Sequence, residues 1–384
     1  MYERLFQPPK EESYFLFGPR GTGKTTWMRR YYPNALWINL LDPHEERILS
    51  MNPELLKEKL EASFHSKVVI DEVQKVPKIL DVVHQLIEEK KNIQFILSGS
   101  SSRKLRRGGV NLLAGRALWK NFYPFIGQEL GNQFDLKKAL RYGMIPLIWN
   151  SVSPEEKLQT YVDLYLREEV KAEALVRQIG DFSRFLEAIA FSHASILNLT
   201  NTSRECAVPR KTLDLHLQIL IDLLLGYTLP VFEKRAKRAV TAHPKFYFFD
   251  PGVFRVLRKQ GFLDETTEIE GAALEGLVAE HLRCWISFQK EKTEFYFWRT
   301  TSGLEVDFIV YGPKVFLAVE VKNNKVVSPS DLRGLKEFYK DYPEASLLFL
   351  YRGKETFKRH GILCMPVDLF LSQMNPLSPE LNIQ

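Results

Sequence analysis

Eight residues near the N-terminus, Gly18-Pro19-Arg20-Gly21-Thr22-Gly23-Lys24-Thr25, constrain the fold of this chain more than any other stretch. They follow directly on the apolar run Tyr14-Phe15-Leu16-Phe17, which reads as a buried strand, and they fit the spacing G-x-x-x-x-G-K-[ST]. Gly18, Gly21 and Gly23 let the backbone turn tightly, so that amide N–H groups point inward at phosphate oxygens. Lys24 then reaches the β- and γ-phosphates, and the Thr25 hydroxyl ligates Mg²⁺. A helix beginning at about Lys24 turns its positive end on the same point. The expected ligands are ATP and Mg²⁺, with Gly18, Pro19, Arg20, Gly21, Thr22, Gly23, Lys24, Thr25 and Thr26 binding the nucleotide.

A second strand, Lys67-Val68-Val69-Ile70-Asp71-Glu72, ends in two carboxylates, at the end where α/β sheets place their ligands. Asp71 is expected to hold Mg²⁺ through water and Glu72 to polarise the attacking water. A further apolar run, Ile93 to Leu97, leads to Ser98-Gly99-Ser100-Ser101. A polar group at this strand tip, between the two phosphate-binding strands, is placed to sense the γ-phosphate. Ser98 and Ser100 both qualify. Strands and helices alternate up to about Phe125, which predicts an α/β domain with a parallel, three-layer sheet over residues 1–150. The basic loop from Arg103 to Gly109 reads as a solvated face or as a nucleic-acid contact.

The bulk properties exclude several classes. There is no run of 18 apolar residues and no signal-peptide core at the N-terminus, so the expectation is a cytoplasmic protein without a membrane partner. Three dispersed cysteines, Cys206, Cys284 and Cys364, argue against a disulfide framework or a zinc cluster, and the eight histidines are equally scattered. A net charge of +6 permits nucleic-acid binding without requiring it.

From about Pro154 to Arg238 the spacing turns helical, and residues 151–243 read as a second, helical domain. Lys157 to Ala174 predicts one helix. Ser203 to Cys206, a turn, and an apolar helix from Leu213 to Leu225 read as helix-turn-helix. A hairpin-like Tyr227 to Phe232 and a basic tail then suggest a winged helix. The visible residues of its second helix, Leu213, Asp214, Leu215, His216 and Leu217, are not base-reading types, so a protein contact competes with DNA. Residues 244–384 form the last expected domain, opening at Lys245 to Asp250. There, Glu305 and Asp307 share a face of one strand, and Glu320 and Lys322 share a face of the next. Two carboxylates and an ammonium at one point suit metal-dependent phosphodiester cleavage, with Glu275 on the preceding helix able to complete the ligands. A charged rim without chemistry is the alternative.

Taken together, these motifs resemble the predicted AAA-superfamily ATPases of bacteria and archaea that join an N-terminal P-loop domain to a C-terminal domain of unknown function. The resemblance runs through Gly18 to Thr25, Val68 to Glu72, Leu97 to Ser101, Leu113 to Arg116, Tyr161 to Val170, Thr212 to Pro230, Phe249 to Val253, Leu274 to Leu282, Gly303 to Asp307 and Val319 to Lys322. It implies ATP hydrolysis, a winged-helix segment, a restriction-endonuclease-like core and a homo-oligomer, a hexameric ring among the options. Arg116 is then a candidate arginine finger acting in trans. Two readings remain open: an ATP-driven protein acting on DNA, or a regulatory ATPase acting on a protein partner, its nuclease-like core a scaffold.

Overall fold

The computed structural model describes residues 2–62, 65–89, 92–100, 113–166 and 179–381. Ser101, the basic loop from Arg103 to Gly109 and the second half of the helix expected from Lys157 to Ala174 lie outside the described residues. Two compact units emerge, one of residues 6–124 with 222–224, the other of residues 1–5, 125–221 and 225–384.

In the unit of residues 6–124, five short strands alternate with helices. These are β1 (Tyr14–Phe17), α1 (Lys24–Tyr31), β2 (Leu36–Asn39), α2 (Pro43–Met51), α3 (Leu55–Ala62), β3 (Lys67–Asp71), α4 (Ile79–Glu88), β4 (Gln94–Gly99) and β5 (Leu118–Asn121). The sheet runs β2-β3-β4-β1-β5, and every neighbouring pair is parallel. Unbroken apolar runs such as Val68-Val69-Ile70 and Phe95-Ile96-Leu97 fit strands buried on both faces. Ile79, Leu80, Val82, Val83 and Leu86 of α4 pack into one core with Val68, Ile70, Phe95 and Leu97. The order puts β4 between β1 and β3, so the serines that follow Leu97 end between the strand that leads into the glycine-rich loop and the strand that ends in Asp71. This parallel five-stranded sheet fits a P-loop NTPase.

Residues 125–150, expected with the first segment, belong to the other unit. The Phe125 N–H donates to Met144 O (2.9 Å), the Gly127 N–H to His281 Nε2 (2.9 Å), and the Met144 N–H to Asp250 Oδ2 (2.6 Å). These bonds tie α5 (Gly127–Leu130), α6 (Leu136–Tyr142) and α7 (Pro146–Trp149) to elements far along the chain. The α8 helix (Pro154–Thr160) continues as a π-helical stretch, Tyr161–Leu166.

Next come α9 (Ile179–Ala190), β6 (Ser195–Ile196), α10 (Leu199–Cys206), α11 (Arg210–Asp222), β7 (Gly226–Leu229) and β8 (Lys245–Phe248). The three strands form an antiparallel sheet in the order β6-β8-β7. Two expectations are corrected here. The local hairpin over Tyr227 to Phe232 does not form, because β7 pairs with β8 instead. Pro230 lacks a ladder N–H, and the Phe232 N–H donates to Phe297 O (2.6 Å). The strand at Lys245 likewise belongs to this sheet and does not open the last one.

The remainder comprises α12 (Pro251–Leu257), α13 (Thr266–Phe288), β9 (Glu294–Arg299), β10 (Glu305–Gly312), β11 (Val315–Val321), α14 (Arg333–Asp341), β12 (Ser346–Tyr351), β13 (Phe357–Arg359), β14 (Ile362–Pro366) and α15 (Val367–Gln373). Its six-stranded sheet runs β13-β14-β12-β11-β10-β9, antiparallel from β9 to β11 and parallel from β11 through β12 to β14. Leu335 and Phe338 of α14 cover one face, in a core with Phe232, Trp298, Ile309 and Phe349. Helix α13 packs against β9 and β11.

Candidate functional site

The glycine-rich loop lies between β1 and α1. Gly23, which caps α1, has φ +89°, a left-handed conformation that side chains rarely adopt. A Cβ on Gly18 would come within 2.2 Å of Phe122 O, so the loop can sit against the chain after β5 only without one. The Lys24 Nζ donates to the carbonyls of Gly18 (2.6 Å) and Pro19 (3.1 Å), which holds its buried ammonium inside the loop. The Thr22 hydroxyl donates to Pro19 O (2.8 Å).

The acidic end of β3 meets this loop. The Thr25 Oγ1 donates to Asp71 Oδ2 (2.7 Å), and the Ser98 hydroxyl donates to Asp71 Oδ1. Asp71 therefore joins β3, β4 and the start of α1. Its neighbour Glu72 has φ +60°, a rare backbone state for a residue with a side chain. The Gln74 Nε2 donates to the Glu72 carboxylate and to Ser100 Oγ (3.2 Å). Gln74 is a link that sequence reading missed; its only signal was its place two residues after Glu72. A Cβ on Gly99 would press within 2.4 Å of Gln74 Oε1, so this glycine makes room for the link.

Among the residues expected to act, the structure thus gathers Lys24, Thr25, Asp71, Glu72, Ser98 and Ser100 at adjoining strand ends. Thr25 and Asp71 offer hard oxygen donors side by side, the chemistry that Mg²⁺ requires. Arg116 lies elsewhere in its bonding: its guanidinium forms an ion pair with Glu88 at the end of α4.

The second constellation lies on β8, α13, β10 and β11. Its centre is Lys245, which sequence reading did not single out. The Lys245 Nζ lies 2.5 Å from Glu305 Oε1, 2.9 Å from Glu275 Oε1 and 3.4 Å from Asp307 Oδ1. Burial disfavours this ammonium, but Glu275, Asp307 and Glu305 outweigh burial and hold its pKa well above the ordinary lysine range. The Tyr247 hydroxyl donates to Glu275 Oε1 (2.6 Å), and the Val321 N–H to Asp307 Oδ2 (2.8 Å). Lys322 Nζ pairs with Glu320 Oε1 (2.6 Å). Burial, then the nearby Asp307 charge, pushes the Glu275 and Glu320 carboxyls up.

The strands carrying Asp307 and Glu320 are adjacent, as expected. Glu275, expected to be able to complete a metal-ligand set, lies with Asp307 against the Lys245 ammonium. Among the described residues, no group of three His, Cys, Asp or Glu side chains is arranged to hold a metal ion. The only signal in the sequence was one lysine opening a run of aromatic residues, Lys245 to Phe249.

Three family models match successive parts of the chain. These are an AAA domain over residues 10–131, a domain of unknown function (DUF8612) over 133–264 and another (DUF4143) over 270–370. No curated protein matches the chain significantly. Among solved structures, it is similar to the crystal structure of protein VC1899 from Vibrio cholerae, at 11% identity and a TM-score of 0.22, over 94% of this chain and 95% of that one. That likeness is too low to carry an argument. Among the described residues, no helix is long and apolar enough to cross a membrane. The AAA-domain match and the parallel sheet around the glycine-rich loop together support an AAA-type P-loop ATPase at the N-terminus.

Proposed function

We propose that this protein is a Mg²⁺-dependent ATP hydrolase whose nucleotide state governs an action on DNA. The observation that carries the ATPase reading is the bonding of Asp71 to both Thr25 and Ser98, with Glu72 next in sequence on a strained backbone. In this reading the loop from Gly18 to Thr26 binds the phosphates of ATP, and Lys24 turns from its loop carbonyls to them. Thr25 and Asp71 hold Mg²⁺, which offsets phosphate charge when bound with ATP. Glu72 accepts a hydrogen bond from the attacking water and orients it, while Gln74 and Ser100 fix the carboxylate. Ser98 shares Asp71 with Thr25, which suits it to report on the γ-phosphate. Arg116 would act in trans in a homo-oligomer after leaving Glu88.

Two features support DNA as the target. The order helix, strand, two helices, two strands from α9 to β8, with the last strand central, supports a winged-helix reading. The exposed residues of α11 include Arg210, Lys211 and Gln218, which the apolar pattern from Leu213 to Leu217 concealed. In addition, a cavity of about 690 Å³ is lined by Lys137, Arg141, Arg255, Arg258, Lys259 and Arg352, against only Glu155 and Glu270. Such a cleft suits a phosphate backbone.

The second reading, an ATP-driven switch on a protein partner, draws support from the apolar Leu215 exposed on the same helix. ATP hydrolysis measured with and without duplex DNA over a range of salt separates the two. Stimulation that declines as salt rises supports DNA; a rate indifferent to DNA at every salt concentration removes it.

A further inference from the structure

The Lys245 side chain is 2% exposed, and its amino group faces three carboxylates from two elements, Glu275 on α13 and Glu305 and Asp307 on β10. The second oxygens of Glu305 and Asp307 are also engaged. Glu305 Oε2 accepts from Arg299 Nη1 (2.7 Å), and Asp307 Oδ2 accepts from the Val321 N–H (2.8 Å). The ammonium also lies 5.6 Å from the centre of the Phe297 ring. It cannot swing out easily, because β8 is the central strand of its sheet, paired with both β6 and β7.

Gathering several buried carboxylates at one point requires a positive centre. In phosphodiester hydrolysis that centre is a divalent ion; here the chain supplies it. A divalent ion entering between Glu275, Glu305 and Asp307 would displace the ammonium and leave it buried without partners, a strongly unfavourable state. Glu320 Oε2 is a buried oxygen without a hydrogen-bond partner among the described residues, but it is a single donor beside Lys322.

We propose that Lys245 is a tethered cation that takes the place of a divalent ion in the carboxylate cluster of the C-terminal sheet and keeps that cluster closed to metal. The core is then a rigid platform that does not cleave phosphodiesters. This rests on the DNA reading only in narrowing it to binding without cleavage; the same closed core serves the switch reading.

The test is titration of Mn²⁺ into the nucleotide-free full-length protein by calorimetry, beside an Asp307→Asn variant. The expected result is equal heats for the two, with no Asp307-dependent binding at millimolar Mn²⁺. Binding by the unsubstituted protein that Asp307→Asn abolishes would overturn the proposal. Lys245→Met is then expected to gain an Mn²⁺ site at least about tenfold tighter than any in the parent, lost again in Lys245→Met/Asp307→Asn. A Lys245→Met variant with an unchanged circular-dichroism spectrum and no gained site would also overturn it. Where Lys245→Met fails to fold, the comparison of parent with Asp307→Asn decides alone. DNA-stimulated ATP hydrolysis is read separately, so failure of the closed core and failure of the DNA reading remain distinguishable.

Discussion

At the scale of single residues, the most informative carboxylates differ in what they touch. Asp71 is bonded by Thr25 and Ser98, whereas Glu72 is held by Gln74 on a left-handed backbone. Glu72→Gln should therefore keep ATP binding and slow hydrolysis at least about tenfold, because the group that orients water loses its charge. Single-turnover hydrolysis beside nucleotide affinity checks this; a tight-binding, slow Asp71→Asn with a normal Glu72→Gln would exchange their roles. Lys24→Ala should lose tight ATP binding altogether, since the cation inside the loop is gone, and equilibrium titration with a fluorescent ATP analogue reads it.

His281 gives a pH signature. Its Nε2 accepts the Gly127 N–H (2.9 Å), and its Nδ1 donates to Leu277 O (2.8 Å), so the fold uses the neutral ring. Burial pushes its pKa down to about 4 from an ordinary 6.5. Between those values the unfolded chain takes up a proton that the folded chain refuses. Stability should thus fall as pH drops through that window, and hold level above it. Thermal melts from neutral to acid pH in the parent and in His281→Gln should show a shallower acid decline in the variant.

At the scale of elements, β8 does two jobs. It pairs with β6 and β7, and its alternate residues Lys245 and Tyr247 both reach Glu275 on α13. A strand so placed explains why an ionisable residue stands in a run of buried aromatics. Phe232 plays a similar joining part through packing. It is 1% exposed, and its ring centre lies 5.3–5.6 Å from those of Tyr296, Tyr311, Phe316 and Tyr342. Phe232→Ala should cost about 3–5 kcal/mol through lost contacts and a residual cavity. Denaturant melts should register that loss, whereas a loss below 1 kcal/mol would mean that the neighbouring rings collapse into the space.

At the scale of the whole molecule, the chain divides between a unit with the parallel sheet and the glycine-rich loop and a larger unit that holds the other two sheets. ATP with Mg²⁺ should therefore slow amide exchange in residues 14–25, 67–74 and 94–100 first, because ligand binding stabilises the unit that binds it. Exchange followed by mass spectrometry checks this, and protection absent from those segments would count against the site. If Arg116 acts in trans, mixing Arg116→Ala with Lys24→Ala chains should restore part of the ATPase rate, since each supplies what the other lacks. Activity per chain that is independent of protein concentration, with no rescue on mixing, would remove that role.

The sequence alone determined the glycine-rich loop between β1 and α1, because glycine turns, a lysine and a hydroxyl at fixed spacing are local chemistry that needs no partner from elsewhere. It likewise showed the parallel sheet, since alternation of strands and helices requires one, and the structure sets the strand tip at Ser98 between β1 and β3. Tertiary structure decided what depends on distant residues. Residues 125–150 left the first segment because Met144 and Gly127 bond to Asp250 and His281. The strand at Lys245 joined a sheet with residues 195–196 and 226–229. The carboxylates of Glu275, Glu305 and Asp307 closed on Lys245, an electrostatic balance set by residues up to 62 positions apart that no local spacing encodes.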